Sequence, residues 1–209
     1  MKTGRKHGAG LAIAVTGGIA CGKSEAGRVL AAAGASVRDA DEVAHAAIDP
    51  GGSAYEAVVE RFGKGVLDSG GHINRKALGA VVFRDRESRL ALNALVHPVV
   101  MKELRHWIAQ EVESGRDAVA LIPLLFEIDA AEGWDFILCI AADEAVARRR
   151  LEERGLSAKE AGERIAAQWP LAEKVKRADV TIWNNGTLDA FQREVESVYS
   201  RIRERNEHG

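Results

Sequence analysis

Residues Gly17-Gly18-Ile19-Ala20-Cys21-Gly22-Lys23-Ser24 fill every fixed position of the pattern G-x-x-x-x-G-K-[ST]. The pattern constrains the backbone first. Its glycines let the chain turn tightly, so that successive N–H groups converge on phosphate oxygens. The turn needs a buried strand before it and a helix after it, whose positive end faces the anion. The apolar run Leu11–Thr16 supplies the strand, and the pattern over Lys23–Ala33 supplies the helix. The main chain from Gly18 to Gly22 is therefore expected to cradle nucleotide phosphates. Lys23 is expected to bridge the β- and γ-phosphates, and Ser24 to ligate Mg²⁺.

Four more short apolar runs read as strands: Ala35–Arg38, Ala118–Ile122, Phe136–Ala141 and Val180–Trp183. Several are apolar on both faces, as buried parallel strands are. Helical patterns lie between them, notably Arg86–Glu113, Ala145–Arg154, Ser157–Gln168 and Leu188–Arg205. The expectation is an α/β fold of the P-loop NTPase type, a five-stranded parallel sheet flanked by helices. About eighty residues separate the second and third strands, far more than one crossover needs. Residues 39–100 therefore read as a helical insertion. The charge-dense stretch 143–177, between the last two strands, reads as a helical lid.

The bulk composition excludes several classes. The formal charge is −2, so no global basic field recruits nucleic acid. No apolar stretch approaches the roughly 20 residues of a membrane span. Lys2, Arg5 and Lys6 precede Leu11–Val15, loosely like a signal peptide, but that run is short and is broken by Gly17 and Gly18. Two cysteines, Cys21 and Cys139, make no disulfide framework and suit the reducing cytoplasm. Oligomeric state is not set by the sequence, and a monomer fits it. Cys21 at a helix N-terminus is a candidate for a lowered thiol pKa, against the plainer reading of a small residue in a serine's place.

The loop alone does not select an acceptor. A switch GTPase should carry N-K-x-D, which is absent, and a motor ATPase should end a strand with an acidic residue on Mg²⁺. The third strand instead runs into Pro123-Leu124-Leu125-Phe126-Glu127. A metabolite kinase using ATP and Mg²⁺ remains. In open α/β sheets ligands sit beyond the carboxyl ends of strands, which singles out Asp39 and Asp41 after the second strand. Alternation puts both on one side. One can take the acceptor's proton, and the other can orient water on Mg²⁺; Asp41 can equally N-cap the helix starting near Glu42. Glu127 can hold metal-bound water or a basic residue of the lid. Arg150 shares a helix face with Arg154 and can neutralise charge on the transferring phosphoryl group; a solvated helix with Glu–Arg pairs is the plainer alternative.

In order along Leu11 to Val198, the sequence resembles the bacterial dephospho-coenzyme A kinases. The pieces are VTGGIACGKS, the DAD segment, FGKGVLDSGGHINRKALGAVVF, the VHP segment at 96–98 and PLLFE, followed by RRRLEER, AAQW and ADVTIWNNG. The resemblance implies that ATP phosphorylates the ribose 3′-hydroxyl of dephospho-coenzyme A, the last step of coenzyme A synthesis. It implies a nucleotide-binding core (11–38, 101–142 and 178–209), a coenzyme-binding insertion (39–100) and a lid (143–177). It makes Asp41 the catalytic aspartate, with a water-mediated link to Mg²⁺, and Arg150 the lid arginine. It puts Asn184 and Gly186 near the adenine and His97 near the acceptor, with no role beyond packing; Asp39 and Glu127 are expected at the acceptor from their place beyond the strand ends.

The sequence departs from that family in places. Ala20 and Cys21 replace the usual Gly and Ser, and Glu25 replaces a threonine that helps hold the α-phosphate. A carboxylate there repels the nucleotide unless it turns outward or meets a lid arginine. Residues 1–10 have no counterpart and read as a flexible tail. Two other readings stay open here: a P-loop kinase of another small-molecule acceptor, and a low-turnover nucleotide-binding regulator.

Overall fold

The computed structural model describes residues 10–207. Within them the strands β1 (Ala12–Gly17), β2 (Ser36–Asp39), β3 (Ala118–Leu121), β4 (Phe136–Ala141) and β5 (Val180–Trp183) form one parallel sheet in the order β2-β3-β1-β4-β5. β1 lies in the middle, paired with β3 from Ala12↔Ala118 and with β4 as far as Gly17↔Ile140. All six of its residues are buried, which explains why the run is apolar on both faces.

The described residues divide into two compact units, one running to Arg38 and resuming at Ile108, the other Asp39–Trp107. In the first, α1 (Lys23–Ala32) and α9 (Leu188–Glu207) pack together. Val29 and Leu30 of α1 and Phe191, Val195, Val198 and Ile202 of α9 join Ile13, Val15 and Ile140 in the core. Gly27 lets α1 approach β3, because a Cβ there would stand 2.8 Å from a Leu121 methyl. Aspartates hold the amino ends of strands: Asp117 accepts from Leu11 N, Asp135 from Ala12 N and Asp179 from Ile137 N. Tyr199 and Arg203 of α9 also reach Asp117.

Residues 143–177 contain three helices: α6 (Glu144–Glu153), α7 (Ala158–Ala166) and α8 (Leu171–Arg177). Ser157 and Glu160 form a reciprocal capping box that fixes the start of α7. α8, which the sequence pattern did not indicate, packs on β1 and β4.

The second unit holds α2 (Ala40–Ile48), α3 (Tyr55–Phe62), α4 (Arg75–Arg84) and the first part of α5 (Arg86–Glu113). Its buried side chains include Val43, Ile48, Val58, Val66, Ile73, Leu78, Val96, Val100 and Leu104. Pro98 sits inside α5, where its missing N–H removes one helical hydrogen bond. The compact unit runs to Trp107 rather than to the expected boundary at residue 100. At the other end, residues 1–9 of the expected tail lie outside the described residues. Gly10 is already in the core, donating to Val112 O at 3.1 Å, with no room for a Cβ against Arg116 O.

Candidate active site

The loop between β1 and α1 depends on three residues with positive φ. Gly17 (φ 143°) passes so close to β4 that a Cβ would meet Ile140 O at 2.0 Å. Gly22 (φ 106°) precedes α1 as its cap and has no side chain to satisfy the first helical N–H groups. Those groups and the helix dipole are what a phosphate requires. Ala20 adopts φ 57°, a left-handed conformation that favours glycine. Small as alanine is, that backbone conformation carries a cost that side-chain size does not reveal.

Lys23 extends back along the loop, donating to Gly18 O at 2.8 Å and Gly17 O at 3.3 Å. Arg150, on α6, donates to Ala20 O at 3.2 Å and to both the main-chain and side-chain oxygens of Asn184, at 3.0 and 3.1 Å. Asn184 is buried just beyond β5, and its amide donates to Cys21 O at 2.9 Å. Arg150, Asn184 and the loop thus form one hydrogen-bonded unit. Apolar packing reinforces it: Ala20 is buried with Leu151 of α6 and Ala161 of α7, with Ile19, Leu156 and Ile165 packed around them. Helices α6 and α7 therefore rest directly on the loop.

Beside this unit lies a cavity of about 190 Å³ lined by Ala20, Gly22, Glu25, Arg150, Arg154, Asn184, Gly186 and Leu188. It brings the loop, Arg150, Asn184 and Gly186 to one wall. Leu188 is an addition from the first turn of α9 and gives the cavity an apolar wall; an apolar residue just after the Asn184–Gly186 turn was the available signal.

Among the described residues Glu25 meets no arginine of the 143–177 segment. Its carboxylate pairs with Arg28 one turn along α1 and accepts from Gln192 of α9 at 2.7 Å. It stays on the wall of the cavity that Ala20 and Gly22 also line. Arg28 follows the i,i+3 spacing of a helix, whereas Gln192 arrives from the far end of the chain and could not be read from sequence.

Cys21 corrects an expectation. Burial pushes its thiol pKa up, and this outweighs the charge of Lys23, which lowers it. Cys139, also buried, is pushed up to about 11 by the same effect. A helix N-terminus does not activate a thiol that is shut away from water.

Glu127 meets a basic residue of the 143–177 segment. Lys174 of α8 is fully buried and lies 2.6 Å from Glu127 Oε1, which also accepts from Trp169 N at 3.1 Å. Lys174 escaped sequence reading because lysines are almost never buried.

In the second unit the cap of α2 is Asp39, not Asp41. Asp39 Oδ1 accepts from Asp41 N at 2.8 Å, and Asp41 lies in the first helical turn. The helix begins two residues earlier than expected, so strand alternation does not govern where these two carboxylates point. His97 lies in α5, and burial lowers its pKa, which keeps it neutral at pH 7. Among the described residues no group of three His, Cys, Asp or Glu side chains could hold a metal ion. Nor is any described helix long and apolar enough to cross a membrane.

A family model described as dephospho-CoA kinase matches residues 11–190. The dephospho-CoA kinase of Geobacillus kaustophilus is 45% identical over 190 residues, covering 90% of this chain and 94% of that protein. That of Carboxydothermus hydrogenoformans is 42% identical over 191 residues, covering 90% and 93%. Among solved structures, dephospho-CoA kinase from Campylobacter jejuni superposes with a TM-score of 0.72 at 29% identity, covering 93% of this chain and 98% of that one.

Proposed function

Since the chain belongs to the dephospho-CoA kinase family, we propose that it transfers the γ-phosphoryl group of ATP to the ribose 3′-hydroxyl of dephospho-coenzyme A. The observation that carries this reading is the hydrogen-bonded unit of loop, Arg150 and Asn184 beside the cavity. It offers a backbone cradle for phosphates, two cations on the loop in Lys23 and Arg150, and a cavity for the nucleotide.

In this reading the N–H groups of the loop from Gly18 and of the first turn of α1 bind the phosphates. Lys23 leaves the carbonyls of Gly17 and Gly18 for the β- and γ-phosphate oxygens. Arg150 neutralises charge that spreads over the equatorial oxygens as the phosphoryl group moves. Asn184 and Gly186 lie on the adenine side. Asp41 takes the acceptor hydroxyl's proton as the new P–O bond forms and the bond to ADP breaks. Asp39, by capping α2, fixes the helical turn that carries Asp41. Neutral His97 packs in the acceptor-binding insertion.

A magnesium ion fits these residues only if it arrives with the nucleotide, since no protein cage forms among the described residues. Such ions commonly keep waters and substrate phosphates as ligands, with the Ser24 hydroxyl available at the start of α1 and Asp41 reaching through water. Bound there, it would neutralise charge on the β- and γ-oxygens.

The test is ADP release from Mg·ATP with dephospho-coenzyme A, AMP or pantetheine as acceptor. Release that requires dephospho-coenzyme A, with coenzyme A formed in equal amount, supports the assignment; release indifferent to acceptor rejects it. Asp41→Asn should lower kcat more than it raises KM. An unchanged kcat removes Asp41 from the mechanism.

A further inference from the structure

Lys174 is fully buried, and its ammonium has two neighbours: Glu127 Oε1 at 2.6 Å and Pro123 O at 2.8 Å. Pro123 O also accepts from the Thr16 hydroxyl at 3.3 Å. The pair therefore sits where β1 and β3 end, one residue from Gly17, where the phosphate loop begins. In parallel sheets that edge is where ligands bind.

Burying an ion pair here costs more in desolvation than a well-packed apolar pair would. The remaining oxygen makes the cost larger. Glu127 Oε2 is buried and has no hydrogen-bond partner among the described residues. Buried charged oxygens are rarely left in this condition. Lys174 and Trp169 N both bind Oε1, so they fix the carboxylate while leaving Oε2 unused.

We propose that Lys174 is a positioning residue: it holds Glu127 so that Oε2 accepts a hydrogen bond from an O–H donor arriving with the substrates. The donor is either a water carried on the nucleotide's metal ion or a hydroxyl of the acceptor. The inference rests on the kinase reading above, and it adds Lys174 to the machinery of the reaction.

Glu127→Gln tests it, because the amide can keep an oxygen towards Lys174 and Trp169 but presents a donor where Oε2 accepted. Binding of Mg·ATP and of dephospho-coenzyme A is measured separately by calorimetry, with thermal melting alongside. Affinity for one of the two should fall about tenfold or more, the usual worth of a hydrogen bond to a charged group. Loss with Mg·ATP identifies the metal-borne water; loss with dephospho-coenzyme A identifies the acceptor.

The double variant Glu127→Gln with Lys174→Met removes both charges, so its melting temperature should recover while the weakened binding persists. A purely structural pair behaves otherwise. If both affinities stay at wild-type values, or if the double variant regains binding together with stability, the proposal is overturned. If the wild-type protein proves indifferent to dephospho-coenzyme A, the kinase reading fails, yet the Mg·ATP arm still reads Glu127.

Discussion

Arg150 and Asn184 hold each other across 34 positions of sequence, one guanidinium nitrogen donating to both oxygens of the asparagine. The same two side chains donate to the carbonyls of Ala20 and Cys21, so the ends of α6 and β5 are tied to the phosphate loop.

Arg150 needs its planar fork to serve Ala20 and Asn184 together. Lysine keeps the charge but offers no such fork. Arg150→Lys is therefore expected to lower kcat by about 100-fold, the scale of one lost transition-state donor. Steady-state kinetics at saturating ATP read this directly. A fall confined to KM would place Arg150 in ground-state binding only.

Two loop residues with positive φ should respond in opposite directions. The left-handed conformation costs Ala20 ~1–2 kcal/mol, of which glycine's freer unfolded chain takes back about 0.4–1. Ala20→Gly should thus raise the melting temperature by roughly 1–3 °C in a chain of this size. At Gly22 a new Cβ would stand 2.4 Å from Asn184 Nδ2. Gly22→Ala should displace Asn184 and weaken nucleotide binding by about tenfold or more, seen by titration with Mg·ATP.

Glu25 sits on the cavity wall, paired with Arg28, where the kinase reading puts the nucleotide. Replacing it by threonine removes a negative charge from that wall and adds a hydroxyl. KM for ATP should fall about threefold to tenfold, with kcat changed by less than about twofold. The gain should change little with salt, since the Glu25 side chain is only 12% exposed and screening acts weakly there. An unchanged KM would mean that Arg28 and Gln192 already cancel its effect.

Glu111 gives the protein an acid-sensitive joint. Its carboxylate accepts from Arg116 Nε and the Ser36 hydroxyl, both at 2.6 Å. The Arg116 hydrogen bond, then that of Ser36, pulls its pKa from 4.5 down to about 2. A carboxylate depressed by folding stabilises the native state above its unfolded pKa and loses that contribution as pH falls through its folded one. Wild-type protein should therefore melt above Glu111→Gln at neutral pH. The gap should close between pH 4.5 and about 2. A gap independent of pH would place the effect in packing instead.

What the sequence made legible follows from the kind of signal each element leaves. β1, β3 and β4 are buried on both faces and read as unbroken apolar runs, and the phosphate loop has fixed spacing. The helix Ala158–Ala166 was found by its amphipathic face, its start marked by Ser157. α8 was not, because seven residues are too few to show a period and its buried face is a lysine. The start of α2 was misplaced because two aspartates two positions apart are equally good caps, and only the chain's geometry chose Asp39. Gln192 beside Glu25, Lys174 beside Glu127 and Arg150 beside Asn184 come from distant segments, and no local pattern encodes such pairings.

The central position of β1 has a consequence for how the protein opens. A strand hydrogen-bonded on both sides releases its amides only when the sheet itself comes apart, whereas edge strands and short helices fray locally. In deuterium exchange the amides of Ile13–Thr16 should be among the last to label, and those of α7 among the first. The phosphate anchor thus outlasts every smaller opening, and the segment that rests on it can come and go many times in the life of one folded molecule.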